Sequence, residues 1–449
     1  MDTVHRIAAE HGDLARDLAA QGVKYAVAAW IDVLGRPKSK TVPIDHLPNL
    51  LAGSERYTPR GMGGIGRMDP VEEEIAGIPD PATLQVLPWD RRVAWMVADM
   101  SWGGREPYAL CPRSILRRQV EAAAETGYVC QLGVEPEFYA FRPESLEAGR
   151  LVPMTLSEEI EPSPAYDVEA TLDSLPFLDR VCSYLDELGF GVFSFDAEGG
   201  EGQYEFDFAH APVIEAADKV TLFRLAVRQA AKESGLLATF MPKPRAELWG
   251  SGAHFNMSLE DMAGRNLFRA AQGRENWSKE AYQFVAGVLH HAPALSALAN
   301  PTTNSYRRLV ERLADGEISW APTKISYGYN NRSCMIRLPA NRPAIENRAV
   351  DSSANTYLTA AYMLAAGLDG IRQGMDPGRA RDDLTYLADV ERLPRTLLEA
   401  VEAFENDPLT GEVFHERFVR DYAEMKVAEW ERAHLEVTDH ERAAYLLNL

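Results

Sequence analysis

The chain has 449 residues, with 46 Lys+Arg against 67 Asp+Glu, a formal net charge of −21 at pH 7. That balance disfavours non-specific nucleic-acid binding, which needs a positive surface, but leaves nucleotides open because a few arginines and divalent ions suffice to hold phosphates. With 46% hydrophobic residues the chain can bury a full core, and no apolar run reaches the roughly 18–20 residues that cross a bilayer.

In chain order, Val4, Ile7, Leu14 and Leu18 recur at helical spacing over 4–19, interrupted by Asp2, Glu10, Asp13 and Asp17, so a secretory leader is not expected. Strand patterns follow at Tyr25–Asp32 and Ser39–Val42, joined by the turn-like Leu34-Gly35-Arg36-Pro37. Residues 52–90, rich in Gly, Pro and Asp, are expected to be long loops, and Val93–Met100 another strand. A helix over Arg113–Thr126 opens a second region. There, strand patterns at 128–141, 190–208, 236–241, 253–259 and 323–338 alternate with helical patterns at 174–188, 213–234, 276–291 and 354–372. Residues 396–447 are expected to be almost entirely helical, with the charges of 412–442 on a solvated face. The organisation predicted is α+β: a small N-terminal domain over 1–108 and a large catalytic domain over 109–449. Cys111, Cys130, Cys182 and Cys334 are too scattered for disulfides or thiolate metal sites, in keeping with a cytoplasmic protein.

The chemistry concentrates in three sets of residues. Glu135 and Glu137 in Leu132-Gly-Val-Glu-Pro-Glu-Phe138 share one strand face about 7 Å apart, with Leu132, Val134 and Phe138 on the other. A bare Glu-x-Glu is usually a solvent-facing edge. Here further acids are placed to converge: Glu198 before a glycine-rich turn and Glu205 on the strand leaving it. His254, Asn256 and Ser258 share one face of another strand, although His254 alone is more often a hydrogen-bonded core histidine. The third set is Arg308, Arg332, Arg337 and Arg348 with Glu346, and guanidinium groups suit carboxylates and phosphates. Acids for metals beside arginines for anions is an arrangement suited to phosphoryl transfer. Gly61, Gly63 and Gly66 match a dinucleotide fingerprint, but no buried strand precedes them. His290-His291 is read as structural, with no acidic partner evident nearby.

The motifs E-P-E-F, E-x6-E with G-Q-x-E, A-T-F-M-P-K-P-x5-G-S-G-x-H, N-S-Y-x-R-L, N-R-S-x4-R and I-E-x-R, in this order, resemble the glutamine synthetase family over essentially the whole chain. The resemblance implies a β-grasp N-terminal domain and a large catalytic domain built on a curved antiparallel sheet with helices. It further implies a homo-oligomer, a dodecamer of two hexameric rings with active sites between subunits. It implies two or three Mg²⁺ or Mn²⁺ ions per site, one held by Glu137, Glu198 and Glu205 and a second by Glu135, His254 and Glu346. Gly250, His254, Arg308 and Arg348 would bind glutamate, Arg332 and Arg337 the ATP phosphates, and Asn256 and Ser258 the nucleotide.

Several departures bear on the substrate. The family's ammonia-using enzymes carry an Asp-Gly-Ser loop where this chain reads Thr58-Pro-Arg-Gly-Met-Gly-Gly64, and a glutamate before Ala-Pro where this chain has Trp320. Phe193 and Ala344 stand where an acid and an arginine are usual. Losing two anions and gaining an indole favours an organic ammonium over NH₄⁺, through apolar contact and cation–π attraction. The set resembles the branch that makes γ-glutamylalkylamides, with methylamine the first candidate acceptor and Glu311, Asp315 or Glu317 as candidate bases. Ammonia, polyamines and arylamines are the alternatives. A regulatory member without activity would be expected to have lost metal ligands, and a two-metal hydrolase would not need the arginines.

Overall fold

A computed structural model describes residues 12–59, 73–104, 106–148, 151–155, 165–270 and 274–447. The N-terminal sheet contains β1 (Tyr25–Ile31), β2 (Pro37–Pro43), β3 (Arg56–Tyr57), β4 (Ile75–Pro79), β5 (Gln85–Val86), β6 (Val93–Trp102) and β7 (Glu106–Pro107). Its order is β2-β1-β6-β4-β3, with β5 and β7 also on β6; β1 and β6 run parallel and the other pairs antiparallel. β1 is buried at every position after Tyr25, and one face packs on Leu18, Leu47 and Leu50 from the flanking helices.

The second sheet contains β8 (Tyr128–Phe141), β9 (Val192–Ala197), β10 (Gln203–Phe208), β11 (Ala211–Pro212), β12 (Leu237–Thr239), β13 (Ala253–Asp261), β14 (Tyr327–Tyr329), β15 (Ile336–Leu338) and β16 (Ile345–Asn347). Its order is β14-β15-β16-β13-β8-β10-β9, antiparallel except for β14–β15, with β11 and β12 pairing β8 as well. Fourteen-residue β8 is the axis, and alternation along it sends Phe138 back into an aromatic cluster with Phe206, Phe223 and Phe240. Buried Arg113 joins the two sheets: it pairs with Asp80 and Asp99 beside the first and with Asp218 on helix Val213–Glu233.

Several boundaries differ from the sequence expectations. Residues 52–90 are not loop throughout: β3, β4 and β5 lie in the stretch. Ile75-Ala-Gly-Ile-Pro79 is too short and too bounded by Gly and Pro to stand out, and becomes a strand by pairing with β6. The helix expected from 174 starts at Val168, capped by the Asp167 carboxylate, with Pro176 inside it. The stretch 323–338 is two three-residue strands joined by the turn that carries Arg332. Helical content in 396–447 is divided among four helices, broken near Asp407, Phe414 and Val437. His291 does have acidic partners, Asp407 at 2.8 Å and Asp369 at 3.3 Å, supplied from more than 70 residues away. The glycines at 61, 63 and 66, most of the 58–64 loop and the start of the first helix lie outside the described residues.

Candidate active site

Strand register assembles the site. Glu205 on β10 lies opposite Glu137 on β8; Glu135 on β8 lies opposite His254 on β13; Asn256 on β13 lies opposite Glu346 on β16; and Glu346 lies opposite Arg337 on β15. Because cross-strand partners point to the same face, five strands present Glu205, Glu137, Glu135, His254, Asn256, Glu346 and Arg337 as one band. His254 is the hub, with Nδ1 3.3 Å from Glu135 and 3.9 Å from Glu346, and Nε2 3.6 Å from Glu137. Ligating atoms of Glu135, His254 and Glu346 lie within 4.8 Å of one another, and so do those of Glu137, Glu205 and His254. Glu198 enters the same cavity from the turn between β9 and β10.

Glu137 is fixed from behind: its Oε2 accepts from the Gly252 N–H at 2.8 Å and from Gln203 Nε2 at 3.0 Å. The glycines of 250–252 serve close approach. A Cβ at 250 would stand 2.5 Å from Arg308 Cγ, and one at 252 would stand 2.8 Å from both Arg308 Nη2 and His254 Nε2. Arg308 is locked by donating to the Ala349 and Arg348 carbonyls, both at 3.0 Å. Fully buried Glu346 accepts from Arg348 at 2.6 Å, Arg337 at 2.7 Å and Arg342 at 3.1 Å.

Burial and mutual repulsion raise most of the acids. Burial first, then neighbouring carboxylates, push Glu198 up to about 8 and Asp207 to about 7, and hold Glu205 well above its usual range. Burial also raises Glu137 despite Arg308. Glu346 goes the other way, because Arg348 and its neighbours outweigh burial. Burial and Arg348 hold His254 well below 6.5, so its imidazole is neutral and has a lone pair to offer. Crowded carboxylates that cannot all ionise alone, with one neutral imidazole, are a donor set that fits hard divalent cations. Arginines interleaved on the same cavity wall fit an anionic substrate beside them.

The cavity, of about 500 Å³, brings together Glu135, Glu137, Glu198, Glu205, Gly250, His254, Arg308, Trp320, Arg332, Arg337, Glu346 and Arg348 from the sequence-derived set. Trp320 is half exposed, has a positive φ of 59° and stands 6.1 Å from Trp249. Five expected residues do not line it: Asn256, Ser258, Glu311, Asp315 and Glu317. Asn256 is buried within the band, donating to Glu135 at 3.0 Å and accepting from Arg342 at 2.8 Å. Ser258 lies further along β13, opposite Gln131. Glu311 is held by Arg392 at 2.9 Å, and Glu317 is exposed, its N–H donating to Asp315. Phe193 is exposed on β9.

Arg342, Asp196 and Asp207 line the cavity and were not foreseen. Arg342 reaches Glu135 at 2.7 Å as well as Glu346, from two residues upstream of the alanine at 344 where an arginine is usual. Alternation could have found the acids, since Asp207 is two residues after Glu205 and Asp196 two before Glu198.

The family described as glutamine synthetase, catalytic domain, matches residues 109–445. A glutamate–methylamine ligase of Methyloversatilis universalis is 34% identical over 94% of this chain and 96% of its own. A glutamine synthetase of Rhizobium meliloti is 32% identical over 93% and 95%. Among solved structures, a GmaS/ADP complex in its first conformation superposes with a TM-score of 0.89 at 34% identity, covering 97% of this chain and 99% of that one. An apo GmaS without ligand superposes at 0.88 and 33%, with the same coverage. With family match, whole-chain identity and shared fold in agreement, the chain belongs to the glutamine synthetase family.

Proposed function

We propose that this carbon–nitrogen ligase joins the γ-carboxylate of L-glutamate to a small primary alkylamine, methylamine first, at the cost of ATP. Overall identity does not choose the amine, because relatives named for methylamine and for glutamine match almost equally. The observation that carries the reading is Trp320: its indole, beside Trp249 on the wall of a cavity rich in charged groups, offers apolar surface to an N-methyl group and a π-face to its ammonium.

Arg308 and Arg348 are assigned to the glutamate carboxylates, with Gly250 keeping the backbone close and His254 contributing a neutral donor. Arg332 and Arg337 are assigned to the ATP phosphates and to charge developing on the transferred phosphoryl group. Glu137, Glu198 and Glu205 would hold one Mg²⁺ or Mn²⁺ and Glu135, His254 and Glu346 another. Such ions would supply positive charge that offsets the charge of the phosphates. The side-chain carboxylate of glutamate attacks the γ-phosphorus and ADP departs; the amine then attacks the acyl carbon of the acyl phosphate, forming the C–N bond as the C–O bond breaks and phosphate leaves. The amine must first lose a proton. For Glu311 or Glu317 to accept it, the 311–319 segment has to close inward and Glu311 has to leave Arg392.

Asn256 acts through its hold on Glu135 and Arg342, while Ser258 is left with the nucleotide role that its motif implies. The reading includes a two-domain chain divided near 108/109, a dodecamer of two hexameric rings and a cytoplasmic role in nitrogen metabolism. No helix among the described residues is long and apolar enough to cross a membrane. ADP release tests the ligase chemistry: it should require glutamate and an amine together, and a phosphinic glutamate analogue should become phosphorylated and trap the enzyme. ADP release without glutamate, with the analogue left unmodified and non-inhibitory, would contradict activation through an acyl phosphate.

A further inference from the structure

A second polar cavity, of about 400 Å³, lies where the β1–β2 turn meets helix Val213–Glu233 and the segment 352–355. Its charged lining is nearly all cationic: Arg36 from the turn, Arg224 and Arg228 one helical turn apart, and Lys426 from helix Glu416–His434. Its acid, Glu429, is already engaged by Lys426 at 3.1 Å and by the Thr303 N–H at 3.1 Å. Among the described residues, none of the three guanidinium groups pairs with a carboxylate. Arg224 is half-buried and Arg36 and Arg228 are exposed, so the cavity carries a local positive excess in a chain of net charge −21. Burial and then Arg228 push Arg224 down to about 10, and burial and then Arg36 lower Arg228.

The cavity is a built site. Gly35, with φ at +72°, turns the loop so closely onto its neighbours that a Cβ there would stand 3.3 Å from Asn355 Cα and 3.4 Å from Arg224 Nη1. Asn355 Nδ2 pins the loop by donating to the Asp32 carbonyl at 2.9 Å. Phe240 forms an apolar wall, with the Arg224 and Arg228 guanidinium carbons 5.8 and 5.5 Å from its ring centre.

The cavity is wired to the active site. Arg224 Nη2 donates to the Ser352 and Ala354 carbonyls, both at 2.9 Å. Ser352 Oγ in turn contacts the Glu137 and Gly252 carbonyls, both at 2.6 Å, and the Gly252 N–H holds the Glu137 carboxylate. An anion that draws Arg224 towards Arg36 and Arg228 therefore loads the strand that carries Glu137.

We infer that this cavity binds a small anion carrying at least two negative charges, an organic dicarboxylate or a phosphate, and that its occupancy adjusts ligase turnover. The fit rests on paired oxyanions for the arginines and a short carbon skeleton for Phe240. The inference does not depend on which amine the enzyme uses.

Calorimetric titration of the metal-free, full-length protein at low salt with succinate, and separately with inorganic phosphate, tests it. Saturable binding of at least one of the two at one site per chain is expected, weakened about tenfold or more in Arg36→Gln and in Arg228→Gln and unaltered in Arg332→Gln. Which of the two binds more tightly identifies the source of the charge. Binding lost in Arg332→Gln and kept in Arg228→Gln would put the ion in the active site and overturn the inference, as would no saturable binding of either. The tighter anion should also change kcat or KM at least about twofold in the wild type and not in Arg228→Gln. Identical responses of the two proteins would overturn the coupling.

Discussion

The two polar cavities solve opposite electrostatic problems by different means. The larger one crowds six acids and a histidine on five adjacent strands and interleaves arginines among them, which pair Glu135 and Glu346 and leave Glu137, Glu205 and Asp207 to crowd one another. The smaller one gathers arginines from a turn and a helix and gives them no carboxylate. Strand register can set many side chains side by side at about 5 Å intervals, which suits a multi-point metal and phosphate site. A turn laid on a helix can bring only a few groups together, which suits a single small ion.

The largest expected effect tests the first half of that contrast. Glu137→Ala should lower kcat by about 10³ or more while the fold survives, because the backbone pairing of β8 does not depend on that side chain. Circular dichroism and a turnover assay together check this, and unchanged turnover would remove Glu137 from the site. Gly250→Ala should act next: its Cβ would collide with Arg308 Cγ, and displacing that guanidinium should raise KM for glutamate by about tenfold or more. A normal KM would show that Arg308 does not hold glutamate. Trp320→Glu should then shift amine preference towards ammonium by at least several-fold, as competition assays can measure.

The smallest effect lies outside the lining of both cavities. His291 sits between Asp369 and Asp407, and their hydrogen bonds and charges outweigh burial to raise its pKa above the usual 6.5. A raised folded value means that this contribution to stability is complete below about pH 6.5 and is lost as pH climbs through the folded value. His291→Gln should therefore cost about 1 kcal/mol near pH 6, and the gap from wild type should narrow by pH 9. A gap that widens with pH would show that the pair is not charged in the native state.

The two cavities also differed in how far the sequence disclosed them. The carboxylate band was legible because strand alternation is a local rule: Glu135 and Glu137, or His254 and Asn256, declare a shared face, and motif order then supplied which strands meet. The family was readable as a resemblance, from the motifs and their order along the chain. Arg342 was missed because its position departs by two residues from the expected arginine, and only the fold shows that it still reaches Glu346. Glu311 and Glu317 drew attention as acids near Trp320, but the chain turns them away from the cavity. The arginine cavity was invisible: Arg224 and Arg228 at helical spacing look like a solvated face, and Arg36 joins them from almost 190 residues earlier. Likewise, β4 exists because β6 lies beside it, and its five residues alone say little.

Steady-state kcat/KM for methylamine and for ammonium, compared at saturating glutamate, ATP and Mg²⁺ and calculated on the unprotonated amines, tests the central claim most directly. A methylamine value exceeding that for ammonia by at least about tenfold is the result expected from an indole in place of an anion. A value for ammonia equal to or above that for methylamine would contradict the assignment of the amine pocket to Trp320 and leave an ammonia-using glutamine synthetase in its place.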